Sequence, residues 1–452
     1  MKLATHGLQS SLEIGTRKIL QGTLSPLCGI NQEIGFFSRS SDDPKLVTVG
    51  VELSGVHELL HRPDPGKGGY HIGGMGVFRN EALIKALGES CERYSQLVSC
   101  FSTEGNYPTR FCSYSELIKK NETPIPKEFL DFFSQEQLHR PGFIFDSFDT
   151  EKPLHWLQTA SIPDQKKYWI PSQLLFVGYN VKKKHGEPWI YSAVTTGTAV
   201  HINYPLAIRN ALLELIQIDA AMGHWYGSSQ AFEIEFDERN VLLQRLLKKY
   251  SPPNGTQPKF YWLPNADLLG LVVACVLHHP NKLPKVVVGL GSETDLAGAM
   301  YKAYLEAAGI VDLARVCLFR DKYHFSPKNS VDEQNMFDLD SNISFYAKGL
   351  GYKRIEQKFF SANKVKASDL PPDIVGDPTS QVKQLILPFA ETHKKLFFVD
   401  LTSCELRELK LISARIWSPD LISLCLPSAV PCNHSRFKKY GGVSHAEPHP
   451  YP

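Results

Sequence analysis

Three segments of the chain place a glutamate at the same distance from two alanines. They are ALIKALGE (82–89), AIRNALLE (207–214) and AMYKAYLE (299–306), and each reads Ala, three residues, Ala, two residues, Glu. At helical spacing the alanines lie beside the glutamate on one face, so another element or a ligand can approach the carboxylate. Carboxylates that converge on one place repel each other unless a cation neutralises them. The pattern therefore indicates a site for a cation that prefers oxygen ligands.

The second segment belongs to a helix that is apolar around nearly its whole circumference. Leucine and isoleucine dominate residues 206–218, and a narrow polar stripe of Asn210, Glu214 and Gln217 breaks the apolar surface. A helix of this kind is buried, and a buried carboxylate must be paired, coordinated or neutral. A core ion pair or a capping interaction is the structural alternative. We favour a functional site for Glu214, because perturbed carboxylates tend to mark sites.

The other two helices are less distinctive. In the first, Glu89, Glu92 and Arg93 share one face, which an ordinary amphipathic helix with a Glu89–Arg93 pair also provides. In the third, Lys302 and Glu306 lie one turn apart and could equally form a core ion pair. If the three helices converge, a set of oxygen ligands favours Mg²⁺ over zinc, and Mg²⁺ typically brings phosphates. A nucleoside triphosphate is the ligand that we expect.

A separate feature stands at the end of the sequence, which reads PHPYP from Pro448 to Pro452. Alternating prolines favour a stiff, extended polyproline II conformation. Such a rod could deliver the terminal carboxylate of Pro452 to a fixed place. A frayed end is the alternative, because chain termini are usually poorly ordered.

The sequence elements around these residues predict an α/β fold with mixed sheets, in which helices carry a pocket for Mg²⁺ and a nucleoside triphosphate. Four apolar runs predict strands of a mixed sheet behind the pocket, at 46–56, 189–200, 268–277 and 283–292. We expect the third helix to begin near Thr294 or Asp295. The expected organisation is a leader region at 1–47, a body at 48–452 with a smaller subdomain at 100–185, and a proline-rich tail at 446–452.

Composition narrows the class of protein. The chain has 452 residues, of which 42% are hydrophobic and 21% charged, and a net charge of +2. These values are typical of a globular protein. The chain has no polybasic block suited to nucleic acid or a membrane surface, and no apolar run of about 18 residues for a membrane span. Nine cysteines without a C-x-x-C pair favour reduced thiols and a cytoplasmic location.

Several longer segments resemble a known family. They are HIGGMGVFRNEALIKALGESCERYS (71–95), TTGTAVHINYPLAIRNALLELIQIDA (195–220), FFVDLTSCELRELKLISARIWSPDLISL (397–424) and the closing PHPYP. The resemblance is to the YcaO family and, within it, to the SagD-like azoline-forming cyclodehydratases, the D-proteins of thiazole/oxazole-modified peptide biosynthesis. It runs from about residue 48 to residue 452.

The resemblance implies ATP- and Mg²⁺-dependent ring closure on a ribosomal precursor peptide. A Cys, Ser or Thr side chain attacks the preceding carbonyl, the oxyanion takes the γ-phosphoryl group, and phosphate leaves a thiazoline or oxazoline. The resemblance also implies that Glu89, Glu92 and Glu214 bind the metal, and that the carboxylate of Pro452 assists proton transfer. The residues implied to hold the Mg–nucleotide are Glu89, Glu92, Arg93, Glu214, Gln217 and Glu306.

The chain also departs from the family's pattern. Met75 stands where a lysine is common, Lys85 where a small residue is common, and Gly309 where a glutamine often lies. The second signature, often E-x-x-E-R, reads ELIQI with Gln217 and Ile218. These departures leave two alternatives to the cyclodehydratase: a catalytically weak scaffold or peptide-binding subunit, and a thioamide-forming enzyme.

The sequence shows no winged-helix module for peptide recognition. We therefore expect a separate ThiF-like or leader-binding C-protein to present the substrate. Two further hypotheses stay open. One is a partner enzyme, an FMN-dependent dehydrogenase that oxidises the rings afterwards, and the other is that the protein forms a homodimer.

Overall fold

The computed structural model describes residues 2–59, 61, 72–102, 106–252, 255–323 and 333–451. The helices in these ranges are α1 Lys2–Thr23, α2 Val56–Leu59, α3 Arg79–Ser102, α4 Tyr114–Lys119, α5 Gln135–His139, α6 Ser172–Leu175, α7 Tyr204–Tyr226, α8 Val241–Tyr250, α9 Leu296–Tyr323, α10 Leu339–Lys348, α11 Tyr352–Ile355, α12 Pro378–Glu391 and α13 Cys404–Glu408. The strands are β1 Asn31–Phe36, β2 Val47–Leu53, β3 Gly73–Gly76, β4 Thr109–Ser113, β5 Pro153–Ala160, β6 Lys167–Pro171, β7 Thr198–His201, β8 Phe232–Glu235, β9 Lys259–Trp262, β10 Leu271–His278, β11 Val286–Glu293, β12 Asn363–Lys366, β13 Phe397–Asp400 and β14 Ile412–Trp417.

These strands form several small sheets. The largest sheet has the strand order β11-β10-β9-β8-β12. It is mixed, because β12 runs parallel to β8 and the other neighbouring strands of the sheet are antiparallel. The three-stranded sheets β1-β2-β3, β4-β5-β6 and β13-β14-β7 are antiparallel. The predicted α/β class with mixed sheets is confirmed. The prediction of one sheet from four apolar runs is wrong, since the runs lie in three different sheets.

The second of those apolar runs is mostly a loop, and its strand β7 begins only at Thr198. The backbone N–H groups of Ile190 and Tyr191 donate to the Gln173 side-chain oxygen, at 2.9 and 3.3 Å. That of Ala193 donates to the Gln173 backbone carbonyl at 3.0 Å. Because one glutamine satisfies these buried donors, this segment needs no neighbouring strand.

Helix α7 is buried around most of its surface, as its apolar composition predicts. Between Ala207 and Tyr226, only Arg209, Asn210, Glu214 and Gln217 are partly exposed. The remaining apolar side chains pack in the largest apolar core of the described residues, together with parts of β10, β11 and β14. The polar stripe predicted from the sequence is confirmed.

Side-chain caps set where α7 and α9 begin. The Asn203 side chain accepts a hydrogen bond from the N–H of Leu206 at 3.1 Å. At α9, the Asp295 carboxylate accepts one from the N–H of Gly298 at 2.8 Å. Helix α9 begins at Leu296, within two residues of the predicted start. These caps fix the register that directs the glutamates of both helices.

The N-terminal segment contributes one strand to a sheet of the body, and the 100–185 region forms a sheet of its own. Strand β1 pairs with β2, so the N-terminal segment shares a sheet with the body. The sheet β4-β5-β6 contributes Trp156 and Trp169 to an apolar core that is rich in aromatic residues. Within the described ranges, no helix is both long and apolar enough to cross a membrane.

Candidate active site

A cavity of about 500 Å³ lies between the sheet β1-β2-β3 and the helices α3 and α9. Three of the predicted site residues line it, namely Glu89, Arg93 and Glu306. Much of the remaining wall is apolar, for example Val49 and Leu313. The structure therefore provides a cavity beside Glu89 and Glu306, two of the four predicted site glutamates.

Glu92 and Glu214 do not line this cavity, but they belong to the same group of charges. Burial raises the pKa of Glu214 to about 8, and the carboxylates of Glu89 and Glu306 contribute to that shift. Burial also raises the pKa of Glu92, and the charges of Glu214 and Glu89 raise it further. The pKa of Glu306 rises to about 7, from burial and from Glu89, while Arg93 opposes the shift. Acids from α3, α7 and α9 thus converge, as the alanine pattern predicts.

The acids of this group differ in their partners. The Glu89 carboxylate accepts from the N–H of Gly73 at 3.1 Å and lies 3.4 Å from Arg93 Nη2. In the described part of the chain, no hydrogen bond or ion pair joins Glu214 or Glu306 to another residue, although the charge of Arg93 lowers the pKa of both acids and that of Arg415 lowers the pKa of Glu214. A carboxylate that is enclosed without a partner favours its neutral form. The proposed core ion pair or cap for Glu214 is therefore wrong.

Lys302 could have paired with Glu306 one turn away, but it has a different partner. Its ammonium lies 2.7 Å from the Glu293 carboxylate and donates to the Ser292 carbonyl at 3.2 Å. Arg209 lies 3.6 Å from the same Glu293 carboxylate. The alternative of a Lys302–Glu306 core pair is wrong, because Glu293 takes both cations.

Gln217 and Ile218 are the departures in the second signature. Gln217 follows Glu214 by one turn on the polar stripe of α7 and is partly exposed. Ile218 is buried in the apolar core. Only Gln217 is thus on the side of the helix that faces the acidic group.

The floor of the cavity carries a row of three glycines. Gly35 lies opposite Gly50, and Gly50 lies opposite Gly73, so the row crosses all three strands in register. All three line the cavity, as do Glu33 and Glu52, which lie opposite each other on β1 and β2. The sequence analysis missed this surface because it depends on the register of strands that are distant in sequence. Glycine in a strand often marks close approach of a ligand or another backbone.

A family model described as YcaO cyclodehydratase, ATP- and Mg²⁺-binding, matches residues 73–422. The chain belongs to the YcaO family. The match spans all three glutamate helices, and the predicted cofactors, ATP and Mg²⁺, are those of the family. A search of the curated proteins gives no match to the chain.

Solved structures share the YcaO fold with this chain. A heterocyclase in complex with substrate and cofactor aligns with a TM-score of 0.70 at 18% identity, over 97% of this chain and 57% of that one. YcaO from Methanopyrus kandleri, bound with AMPPCP and Mg²⁺, aligns with a TM-score of 0.56 at 16% identity, over 97% and 95%. The E. coli microcin synthetase complex McbBCD aligns with a TM-score of 0.57 at 13% identity, over 93% and 96%. The chain spans little more than half the length of the first heterocyclase.

The donor set of this YcaO protein suits Mg²⁺ completed by a nucleotide. Among the described side chains, no three of the types His, Cys, Asp and Glu lie close enough together to hold a metal ion. Mg²⁺ seldom relies on an all-protein cage and usually keeps waters and phosphate oxygens as ligands. Two unpaired carboxylates with raised pKa values, next to a cavity of this size, fit such a site.

Two departures from the YcaO pattern are in contact with each other. Met75 and Gly309 both line the cavity, and a Cβ on Gly309 would lie 2.3 Å from Met75 Cε. The methionine side chain therefore occupies the space that a side chain at 309 would need. Lys85, the third departure, donates to the Met75 carbonyl at 3.2 Å and pairs with Glu81 at 2.7 Å.

Arg415 on β14 is a charged neighbour of the site that the sequence analysis missed. Its side chain is almost fully buried and donates to the Val194 carbonyl at 2.7 Å and to Thr198 Oγ1 at 3.2 Å. Burial lowers its pKa to about 10, and Glu214 and Glu92 oppose that shift. The available signal was a single arginine within the otherwise apolar strand ISARIW.

The proline-rich tail is packed rather than frayed over its described part. Residues 448–451 are buried. Asn342 Nδ2 donates to the Tyr451 carbonyl at 3.1 Å, and the Tyr346 hydroxyl donates to the Pro448 carbonyl. The frayed-end alternative is wrong for these residues. Pro452, the predicted catalytic residue, lies outside the described residues.

Proposed function

We propose that the protein is an ATP-dependent cyclodehydratase of the SagD-like, D-protein branch. It converts Cys, Ser or Thr residues of a ribosomal precursor peptide into thiazolines or oxazolines. The observation that carries the proposal is that Glu214 and Glu306 lie near Glu89 and a cavity of about 500 Å³, partly buried and with raised pKa values, and have no hydrogen-bonding or ionic partner among the described residues. This arrangement occurs in a chain of an ATP- and Mg²⁺-binding family.

The acidic group would hold the Mg–nucleotide. We assign Glu89, Glu92 and Glu214 to the Mg²⁺ site, since oxygen ligands suit this ion. Because no three such side chains in the described ranges lie close enough together to form a cage by themselves, waters and phosphate oxygens would complete the coordination. Arg93, whose guanidinium lies 3.4 Å from the Glu89 carboxylate, would contact the phosphates together with Gln217. Glu306, which lines the cavity, would hold the nucleotide through the Mg²⁺ ion. Metal binding requires the carboxylates to be ionised, so it would release the protons that burial holds on Glu214 and Glu306.

The chemistry begins at an amide of the precursor peptide. The thiol or hydroxyl adds to the preceding carbonyl carbon and loses its proton. The carbonyl oxygen takes the γ-phosphoryl group of ATP, which becomes ADP. Loss of phosphate and of the amide proton then leaves the C=N bond of the ring, so the peptide loses one water overall. In such a transfer, positioning and charge neutralisation supply most of the rate.

The tail would supply the proton-transfer group. We propose that the Pro452 carboxylate reaches the cavity and accepts the proton of the attacking side chain. Support comes from the surroundings of the tail. Asn342, which binds Tyr451, follows Leu339 by one turn, and Leu339 and Leu424 line the cavity.

A partner protein would present the substrate. The first heterocyclase in the comparison is nearly twice as long over its full chain, and McbBCD is a complex. We propose that a ThiF-like or leader-binding C-protein supplies leader recognition in the cytoplasm, and that an FMN-dependent dehydrogenase oxidises the rings. We keep the organisation into 1–47, 48–452, a 100–185 subdomain and a 446–452 tail as part of this proposal.

The decisive experiment combines the protein with its C-protein, precursor peptide and Mg–ATP. A cyclodehydratase releases phosphate and lowers the peptide mass by one water for each ring. A thioamide-forming enzyme, supplied with a sulfur donor, would raise the mass by exchanging oxygen for sulfur. A scaffold would do neither, and either result would contradict the proposal.

Removing Tyr451 and Pro452 tests the role of the tail. We expect the shortened protein to bind Mg–ATP as before and to form no rings. A second variant keeps every residue and adds two glycines after Pro452. Because this addition displaces the terminal carboxylate, we expect this variant also to bind Mg–ATP and to form no rings. Normal ring formation by both variants would refute the role of the tail and leave the nucleotide site unaffected.

A further inference from the structure

The packed tail has few backbone groups that can hold it in place. Proline has no N–H, so between Pro448 and Tyr451 only His449 and Tyr451 can donate from the backbone. Polyproline II forms no hydrogen bonds within itself, yet residues 448–451 are buried. Buried backbone groups require partners, so other side chains must fix this segment.

The His449 imidazole is the hub of those contacts. Its Nε2 lies 2.8 Å from the Cys425 carbonyl, which can only accept, so Nε2 carries the proton. Nδ1 is then an acceptor, and it receives the Tyr451 N–H and the Asn342 side-chain amide, each at 3.3 Å. Burial lowers the pKa of His449 to about 4, consistent with the neutral ring that these three bonds need.

The same imidazole also fixes the side chain of Tyr451. The two rings stack with centroids 5.8 Å apart and an interplanar angle of 20°. The indole of Trp225 meets the Tyr451 ring edge-on, at 6.4 Å. Backbone and side chain of Tyr451 are therefore both held, which sets the direction of the chain where it leaves this residue.

The partners of His449 lie close in the chain to residues that line the cavity. Asn342 lies on α10, whose first residue, Leu339, lines the cavity. Cys425 directly follows Leu424, which also lines it. One buried imidazole thus joins the tail to two segments that each contribute a residue to the cavity lining.

We propose that His449 is a positioning residue for ring closure, because its imidazole fixes the tail at the cavity by holding Tyr451. It acts on the peptide chemistry through the tail and has no contact with the nucleotide. The assignment rests on the proposed cyclodehydratase function. A histidine that merely fills the core would instead affect stability, nucleotide binding and ring closure together.

Two substitutions separate the bonds of the ring. His449→Asn keeps an acceptor close to the position of Nδ1, whereas His449→Gln keeps a donor close to Nε2 and loses the acceptor for Tyr451. We expect the Asn variant to retain kcat for ring closure within about threefold, and the Gln variant to lose about tenfold or more. The KM for ATP should stay within about twofold in both, since neither touches the nucleotide.

Asn342→Leu provides a second test, because it removes the donor to Tyr451 and His449 at nearly constant volume. It should lower kcat with an unchanged KM for ATP, and it decides the question if His449→Gln does not fold. Lys438→Ala, at an exposed position of the same C-terminal segment, is the control and should behave as the wild type.

Two results would overturn the assignment. One is wild-type kcat in His449→Gln, and the other is a parallel loss of kcat, ATP affinity and thermal stability in both His449 variants. The proposed function fails in a distinguishable way. If the wild-type protein binds Mg–ATP and forms no rings, the cyclodehydratase function is refuted, whatever the His449 variants do.

Discussion

Helix α7 carries two acidic side chains, five residues apart, whose surroundings are opposite. Asp219 is fully buried and accepts hydrogen bonds from Arg436 Nε and Nη2 at 3.0 and 2.7 Å. It also accepts from the Tyr440 hydroxyl at 2.7 Å and from Asn265 Nδ2 at 3.2 Å. Glu214, in contrast, has no hydrogen-bonding or ionic partner within the part of the chain that the structure describes.

The difference separates an acid that holds the fold together from one that is available to a ligand. A buried carboxylate with a full set of donors stays charged, and its removal leaves a buried cationic partner without a counter-charge. An enclosed carboxylate without donors lowers stability when it ionises, and proteins retain such groups where function uses them. The two residues differ in exposure, since Asp219 is fully buried and Glu214 is partly exposed, but it is their partners that separate the two roles.

The largest expected effect is the loss of nucleotide binding in Glu214→Gln. The amide keeps the shape of the side chain but cannot bind Mg²⁺ as a charged ligand, so affinity for Mg–nucleotide should fall on the order of a hundredfold or more. Thermal stability should stay the same or rise, because no buried acid needs to ionise. Titration calorimetry and thermal unfolding measure the two quantities. Glu408→Gln, at an exposed position on α13, is the matched control. Unchanged affinity in Glu214→Gln would break the comparison.

The opposite result is expected for Asp219→Asn. Arg436 would lose its main buried counter-charge, which should lower the free energy of unfolding by about 3–5 kcal/mol. The molecules that remain folded should bind Mg–nucleotide nearly as before. Denaturant unfolding and nucleotide titration on the same sample test both statements. A stable variant with impaired binding would show that Asp219 belongs to the site.

The pH dependence of stability sharpens the comparison further. Burial raises the pKa of Glu214 from its ordinary value of 4.5 to about 8, and that of Glu306 to about 7. In the folded protein these two acids hold their protons more tightly than in the unfolded chain. The resulting contribution to the free energy of unfolding is therefore complete below pH 4.5 and is lost as pH rises through 7 and 8. Affinity for Mg–nucleotide should rise over the same window, since binding needs the ionised acids. Thermal unfolding against pH, with and without Mg–ATP, measures both slopes, and a flat profile without ligand would contradict the assignment.

A smaller effect is expected from narrowing the cavity beside the unpaired acids. A methyl group in Gly50→Ala would lie 3.1 Å from the Phe37 ring on the cavity floor. We expect the KM for ATP to rise by about two- to fivefold, with kcat little changed. In Gly35→Ala, where the added Cβ meets nothing within 4 Å, the change should be smaller. Equal kinetics in Gly50→Ala and the wild type would mean that the ligand does not reach this row.

The sequence predicted the parts of the site that depend on local periodicity. The polar stripe of α7 and the facing of Glu214 follow from helical spacing, and the Asp295 cap places the start of α9 within two residues. Strand partners depend on contacts between distant segments, so the apolar runs were assigned to one sheet and lie in three. Arg415 and the glycine row were missed for the same reason, because their role appears only when separate strands are brought together.

The contact between Met75 and Gly309 has a consequence for substitutions at both positions. Because the thioether fills the space over residue 309, a larger residue there cannot be accommodated until position 75 changes its side chain or its rotamer. The side-chain volumes at the two positions are therefore coupled. Enlarging Gly309 alone should impair the enzyme more than enlarging it together with a smaller side chain at position 75.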